Sequence, residues 1–277
     1  MLLRTWVFAT LLAVVTFPAS ASVVVTGTRV IYPESSREVD VRLTNSDKTP
    51  LLVQAWVDDG QIDVSPDKLK VPFILTPPMF RMEPSKGQTL RLRYTGDPLP
   101  KDRESVFWLD VLEVPPKPVN ADGKNMLQVA FRTRIKIFFR PQVLQQEPDQ
   151  AEVHGQLKWR IRENKAGFAV LGVDNPTPYY ISFNRVTARS GSGDTHFDIA
   201  MVPPLGHVDL TPQQGFSFRG QLPATVSYSV IGDLGDEAEG TASILMDHGS
   251  AGKVAPAVSE ATVGENSHQG NQELSRK

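Results

Sequence analysis

The stretch Asn125-Met-Leu-Gln-Val-Ala-Phe-Arg-Thr-Arg-Ile-Lys-Ile-Phe-Phe-Arg-Pro141 decides the fold class. From Leu127 to Ile137 every second residue is Leu, Val, Phe, Thr, Ile or Ile, with Gln128, Arg132, Arg134 and Lys136 among the intervening positions. Period two marks a β-strand with two chemically different faces. Extended from Met126 to Phe139, it would reach about 45 Å at ~3.3 Å per residue, more than twice a common strand. A strand that long outruns a small sandwich core, and its overhang offers apolar side chains and unpaired backbone to a partner chain. Periodicity alone favours a plainer alternative, a long strand buried in its own core. The rest of the chain reverses that order.

Short strand-like runs flank this segment on both sides. Glu38–Thr44, Leu51–Val57, Gln88–Tyr94 and Val106–Leu112 show alternation or β-rich apolar runs bounded by Pro, Gly, Asp or Asn. Most of the 22 prolines lie between such runs, where edges and turns tolerate them. No segment sustains a 3.6-residue period, so an all-β sandwich architecture is expected. After Arg140-Pro141 the chain turns polar, and a second series of strands follows: Gln156–Arg162, Gly167–Val173, Tyr179–Val186, His207–Leu210 and Thr225–Ile231. The domain boundary is placed between Pro141 and Glu152, dividing the chain into 22–145 and 146–247. Residues 248–277 are rich in Gly, Ser, Glu and Asn without an aromatic residue, a composition expected to be disordered.

The first 21 residues read as an export signal: Arg4, an apolar run from Trp6 to Phe17, then the small residues Ala19-Ser20-Ala21. Cleavage is expected after Ala21. The apolar run is too short to span a bilayer comfortably. Cysteine is absent, so hydrophobic cores rather than disulfides must hold an exported chain together. Lys and Arg total 29 against 31 Asp and Glu, a net charge of −2, which loss of Arg4 would take to −3 (28 against 31). So mild a charge argues against general nucleic-acid binding.

Enzyme motifs are poor. The five histidines, His154, His196, His207, His248 and His268, show no helical metal-ligand spacing. There is no Gly-x-Ser-x-Gly elbow and no phosphate-binding loop. Ser65-Pro-Asp-Lys68 matches Ser-x-x-Lys formally, but its proline makes it a turn. Asp58-Asp59-Gly60 is first of all a turn signal. The expectation is a non-enzyme with no metal and no cofactor. Two cations are more suggestive: Arg29 ahead of Val30-Ile-Tyr-Pro33, and Lys136 near the linker end of the long strand. Surface charges with their stems along the sheet would explain both. If they met at a domain junction they would form a carboxylate site.

Taken together, Thr28-Arg-Val-Ile-Tyr-Pro33, Thr76-Pro-Pro78, Leu99–Pro116, Ile135-Lys-Ile-Phe-Phe-Arg-Pro141 and Asp174-Asn-Pro-Thr-Pro-Tyr-Tyr-Ile181 occur in this order behind the signal-like leader. In this the chain resembles the periplasmic chaperones of chaperone–usher pilus assembly, over nearly all of the mature length. One departure is Asp110, where that family usually has Asn. The resemblance implies two immunoglobulin-like domains set at an angle with a cleft between them. It implies that Arg29 and Lys136 anchor the C-terminal carboxylate of a pilus subunit. It further implies that Leu127, Val129 and Phe131 are lent to the subunit's incomplete groove, which is donor-strand complementation. Glu104, Arg140 and Asp233 match a charged trio that links the two domains. The short segment from Val114 to Asn125 resembles the short-loop subfamily that assembles rod-like pili, although Asn120-Ala-Asp-Gly123 carries a two-residue surplus. Expected partners are pilin-like subunits, an outer-membrane usher and, in the free state, a second copy. Neither ATP nor nucleic acid is expected. An adhesive or structural surface β-sandwich and an exported hydrolase stand as alternatives.

Overall fold

The computed structural model describes residues 22–116, 128–163, 169–190, 193–213 and 224–246. The leader, the 248–277 tail, Leu127 and most of the loop before it lie outside the described residues.

Among the described residues the first half contains nine strands: β1 (Val23–Val25), β2 (Arg29–Pro33), β3 (Val39–Asn45), β4 (Leu51–Asp58), β5 (Phe73–Thr76), β6 (Met79–Met82), β7 (Gly87–Tyr94), β8 (Ser105–Val114) and β9 (Phe131–Arg140). They form two sheets, ordered β1-β3-β7-β5 and β2-β9-β8-β4-β6. Alternation dictates which residues enter the core. Leu51, Val53, Ala55 and Val57 are buried, whereas Leu52, Gln54 and Trp56 on the opposite face are not. Val41, Leu43, Leu90 and Leu92 belong to the same core from the other sheet. Tyr32 stands among Phe73, Tyr94 and Phe139 with ring centroids 5.3–6.5 Å apart. Its buried hydroxyl accepts from the Tyr94 amide at 3.0 Å and donates to the Ser36 carbonyl at 3.1 Å, so no polar atom there is stranded.

Between β1 and β2 the chain passes from one sheet to the other. Gly27, at φ +91°, supplies the left-handed bend, a conformation that side chains with a Cβ resist. This crossover determines how much of β9 is covered, because β2 joins β9 only from Arg29↔Lys136 onward.

The second half contains α1 (Gln150–Gly155), then β10 (Lys158–Glu163), β11 (Ala169–Asn175), β12 (Ile181–Ser190), β13 (Gly193–His196), β14 (Met201–Val202), β15 (Gly206–Leu210), β16 (Thr225–Ile231) and β17 (Glu237–Met246). Its sheet runs β13-β12-β16-β17-β10-β11-β15, with β14 added to β12. Trp159 on β10 lies 5.4 Å from the Phe183 ring on β12 and 5.1 Å from the Tyr228 ring on β16, so the two halves of this sheet enclose a second core. The expected fold class therefore holds: all-β, with two sandwich-like domains.

Three local expectations need correction. The polar stretch after Pro141 ends in the one-turn helix α1, whose Asp149 side chain accepts from the Ala151 amide at 2.8 Å. Six residues are too few to display a helical period. Strand β17 was not anticipated, because Glu237-Ala-Glu-Gly-Thr-Ala-Ser243 lacks large alternating apolar residues. Finally, β9 is shorter than the sequence period suggests. Its ladder begins at Glu113↔Phe131, and residues 128–130 lie outside it. The partner strand β8 stops at Val114, and Pro115-Pro116 has no backbone N–H to continue the pairing.

Candidate functional site

Arg29 and Lys136 are direct neighbours across the parallel β2–β9 pairing. The Arg29 guanidinium donates through Nη1 to the Ile231 carbonyl at 2.7 Å and stands over the Phe138 ring at 5.5 Å. Lys136 Nζ donates to Ser182 Oγ at 3.0 Å. Both cations are half-buried, and among the described residues neither forms an ion pair. Burial lowers the Lys136 pKa, and the neighbouring Arg29 charge lowers it further. Burial also lowers that of Arg29, against the pull of Asp233, Glu104 and Asp236. Arg29 Nε is buried without a hydrogen-bond partner. Two desolvated cations side by side repel, and an arriving carboxylate would relieve both the repulsion and the unmade bond.

The strand edge leading to this pair is open. From Phe131 to Ile135, β9 pairs with β8 alone among the described residues. Its odd-numbered residues change environment along the way. Ile135, Ile137 and Phe139 are buried, whereas Phe131 is 43 % exposed and Val129 48 %. The same face thus runs from core to solvent as the sandwich ends. Leu127 would extend the series and lies outside the described residues.

Glu104, Arg140 and Asp233 do come together. Arg140 is almost fully buried, donates through Nε to Glu104 at 2.8 Å, and makes two bonds to Asp233 at 2.8 and 3.1 Å. The second Glu104 oxygen accepts from the Tyr180 amide at 2.8 Å. Tyr179 covers the guanidinium at 5.2 Å from its ring. Arg140 thus ties the end of β9 to the β16–β17 turn and, through Glu104, to the start of β12. Burial raises the Glu104 pKa even though Arg140 and the Tyr180 amide pull it down.

A second charged cluster had not been anticipated. On the outward face of the β9-β8-β4 sheet, Asp58 and Asp110 are buried beneath Arg132 and Arg134. Asp58 had read as part of a turn, and its side chain does accept from the Gly60 amide at 2.6 Å. It also binds Arg134. The only sequence signal was the Asp110 departure, and its partners on other strands could not be read from a linear chain.

The comparisons with known proteins agree on the family. Residues 22–145 match the pili and flagellar-assembly chaperone family, PapD N-terminal domain, and residues 152–242 match the pili assembly chaperone PapD, C-terminal domain. The chain belongs to the PapD family of pilus-assembly chaperones. It is 41 % identical over 227 residues to the probable fimbrial chaperone YadV of Escherichia coli K12, covering 81 % of this chain and 90 % of that one. The CupB2 chaperone of Pseudomonas aeruginosa is 38 % identical with a TM-score of 0.66, over 80 % of this chain and all of that one. The SafB chaperone of Salmonella enterica, solved with the SafA pilin, is 27 % identical with a TM-score of 0.66, over 83 % and 98 % of the two chains. A fimbrial-chaperone function follows, in place of the adhesive module.

Proposed function

We propose that this chaperone holds a pilin-like subunit by lending it the exposed start of β9, in donor-strand complementation. The observation that carries the reading is the open β9 edge at Phe131–Ile135, which runs straight into the Arg29–Lys136 pair. An unpaired edge binds an extended segment through backbone hydrogen bonds whatever its sequence, and alternate side chains set the register. Phe131, Val129 and Leu127 supply that register by entering the subunit's apolar groove.

The cation pair also fixes orientation. A subunit strand running parallel to β9 would end at Lys136 and place its terminal carboxylate between two positive groups. An antiparallel strand would place a positive or neutral group there. Arg29 and Lys136 therefore serve as the carboxylate anchor, and Glu104, Arg140 and Asp233 hold the cleft around it. The finished complex passes to an outer-membrane usher, and the site of action is the periplasm, reached through the 1–21 leader cleaved after Ala21. In the free state the open edge suits a second copy.

Co-expression with a pilin tests the reading. A one-to-one complex that protects an otherwise degraded subunit, lost on Lys136→Ala, is expected. Full accumulation of subunit with a folded Lys136→Ala protein would overturn the anchor.

A further inference from the structure

We propose that Arg132 is a positioning residue for strand donation, and that a proton shared by Asp58 and Asp110 beneath it sets how firmly it holds the donor end of β9. The inference rests on the donor-strand reading above.

Arg132 is adjacent to Phe131, on the opposite face of the strand. Its Nε donates to Asp110 at 2.7 Å, its Nη1 donates to the Ile62 carbonyl at 2.9 Å, and its guanidinium lies 4.9 Å from the Trp56 ring. Arg134 repeats the arrangement one step on, binding Asp58 and stacking 4.9 Å from Trp108. The even face at the start of β9 is thereby fastened to β4, β8 and the loop after β4. The odd face is left for a partner. Three anchors on one side chain hold the last laddered residues flat against the sheet just where β8 and its hydrogen bonds run out.

The two carboxylates underneath are unusual. Both are fully buried, and on each the Oδ2 atom is buried without a hydrogen-bond partner. Asp58 Oδ2 has only the Arg132 Nη2 group 3.7 Å away, beyond hydrogen-bond reach, so one proton shared between the two interacting carboxylates reconciles the unmade bonds, as in other close carboxylate pairs. Burial pushes the Asp110 carboxyl up to about 6, against the pull of Arg132. Asp58 moves the other way: burial would raise it, but the bond to Asp110, the Gly60 amide and Arg134 hold it below the usual range. The charged groups facing the pair are Arg132 and Arg134 from β9, and Asp63 also acts on Arg132 from the loop after β4. Above neutrality the pair presents two negative charges to two guanidiniums. As pH falls through about 6 it presents one, and the hold on Arg132 weakens.

Asp110→Asn mimics the protonated pair at every pH, because its amide can donate to Asp58 while its oxygen still accepts from Arg132. Arg132→Met removes the pin itself. The experiment dilutes a urea-unfolded pilin into excess full-length chaperone and measures the capture rate from pH 5 to 8, with melting curves to confirm that each variant is folded. Wild type should lose capture rate on the order of tenfold through a step near pH 6, the size of one weakened charge-assisted bond. Both variants should lack the step and run at the slow rate throughout. A wild-type profile without the step, or a step retained in either variant, overturns the proposal. Val129→Glu separates this from the underlying reading. If it captures normally, donor-strand complementation fails; if it abolishes capture while Asp110→Asn keeps the step, only the positioning role fails.

Discussion

Arg29 and Lys136 are matched residues of a parallel strand pair, so two half-buried cations lie side by side, and among the described residues neither forms an ion pair. That arrangement costs the free protein electrostatic energy, which the proposed carboxylate anchor would recover on binding. Deleting the Lys136 charge should weaken subunit binding by about 1.5–3 kcal/mol while leaving the melting temperature unchanged or slightly higher. Calorimetry with a peptide of a pilin C-terminus, paired with a thermal melt, checks both halves.

The depressed Lys136 pKa gives a pH dependence with a definite sign. Its charged form is disfavoured in the free protein, so Lys136 loses its proton at lower pH than an ordinary lysine. Peptide affinity should therefore fall on the alkaline side, beginning before free lysine titrates, and binding should take up protons there. Lys136→Arg should flatten the curve, because a guanidinium keeps its charge throughout. Affinity that rises with alkaline pH would contradict the anchor.

Arg140 is a different case, since its charge is already matched. Arg140→Met would leave Glu104 buried without its cation, and a loss of about 3–5 kcal/mol is expected. Urea unfolding measures it. Glu104→Gln in the same background should recover part of the loss, because the stranded charge is then gone.

Gly235 brings the β16–β17 turn close against Thr28, the residue before Arg29. It sits at φ +86°, and a Cβ there would come 2.7 Å from Thr28 Oγ1, next to Arg29. Gly235→Ala should cost about 1–2 kcal/mol in backbone strain. It should also weaken peptide binding, because Thr28 and the Arg29–Ile231 contact must shift. Unchanged affinity would detach this turn from the anchor.

Much of this was legible in the chain. Alternation in Leu51–Val57 and Gln88–Tyr94 gave strands close to those observed, since one buried face enforces period two. The family resemblance named Arg29, Lys136, Glu104, Arg140 and Asp233, and the last three do meet in one hydrogen-bonded cluster. What stayed hidden depended on sheet register. In the sequence Arg132 and Arg134 are only intervening positions of the long strand, and it is the register of β8 and β4 that brings Asp110 and Asp58 beneath them. The paired length of β9 was set by Pro115-Pro116 just past the end of the neighbouring β8, which the period of its own residues does not record.

On the proposed function, the apolar residues leading into β9 are kept for a partner rather than for this chain's own core. Val129→Glu tests this most directly. Val129 is 48 % exposed and outside the ladder, whereas Phe131→Glu would add a like charge opposite the buried Glu113. Thermal melting and pilin capture should be measured on the same Val129→Glu preparation. A folded donor-strand chaperone carrying Val129→Glu should melt within a degree or two of wild type (roughly 0.5 kcal/mol for an exposed site) and capture no subunit, because a charge cannot enter an apolar groove unpaired. A collapsed melting temperature, or full capture by the folded variant, would contradict the proposed function.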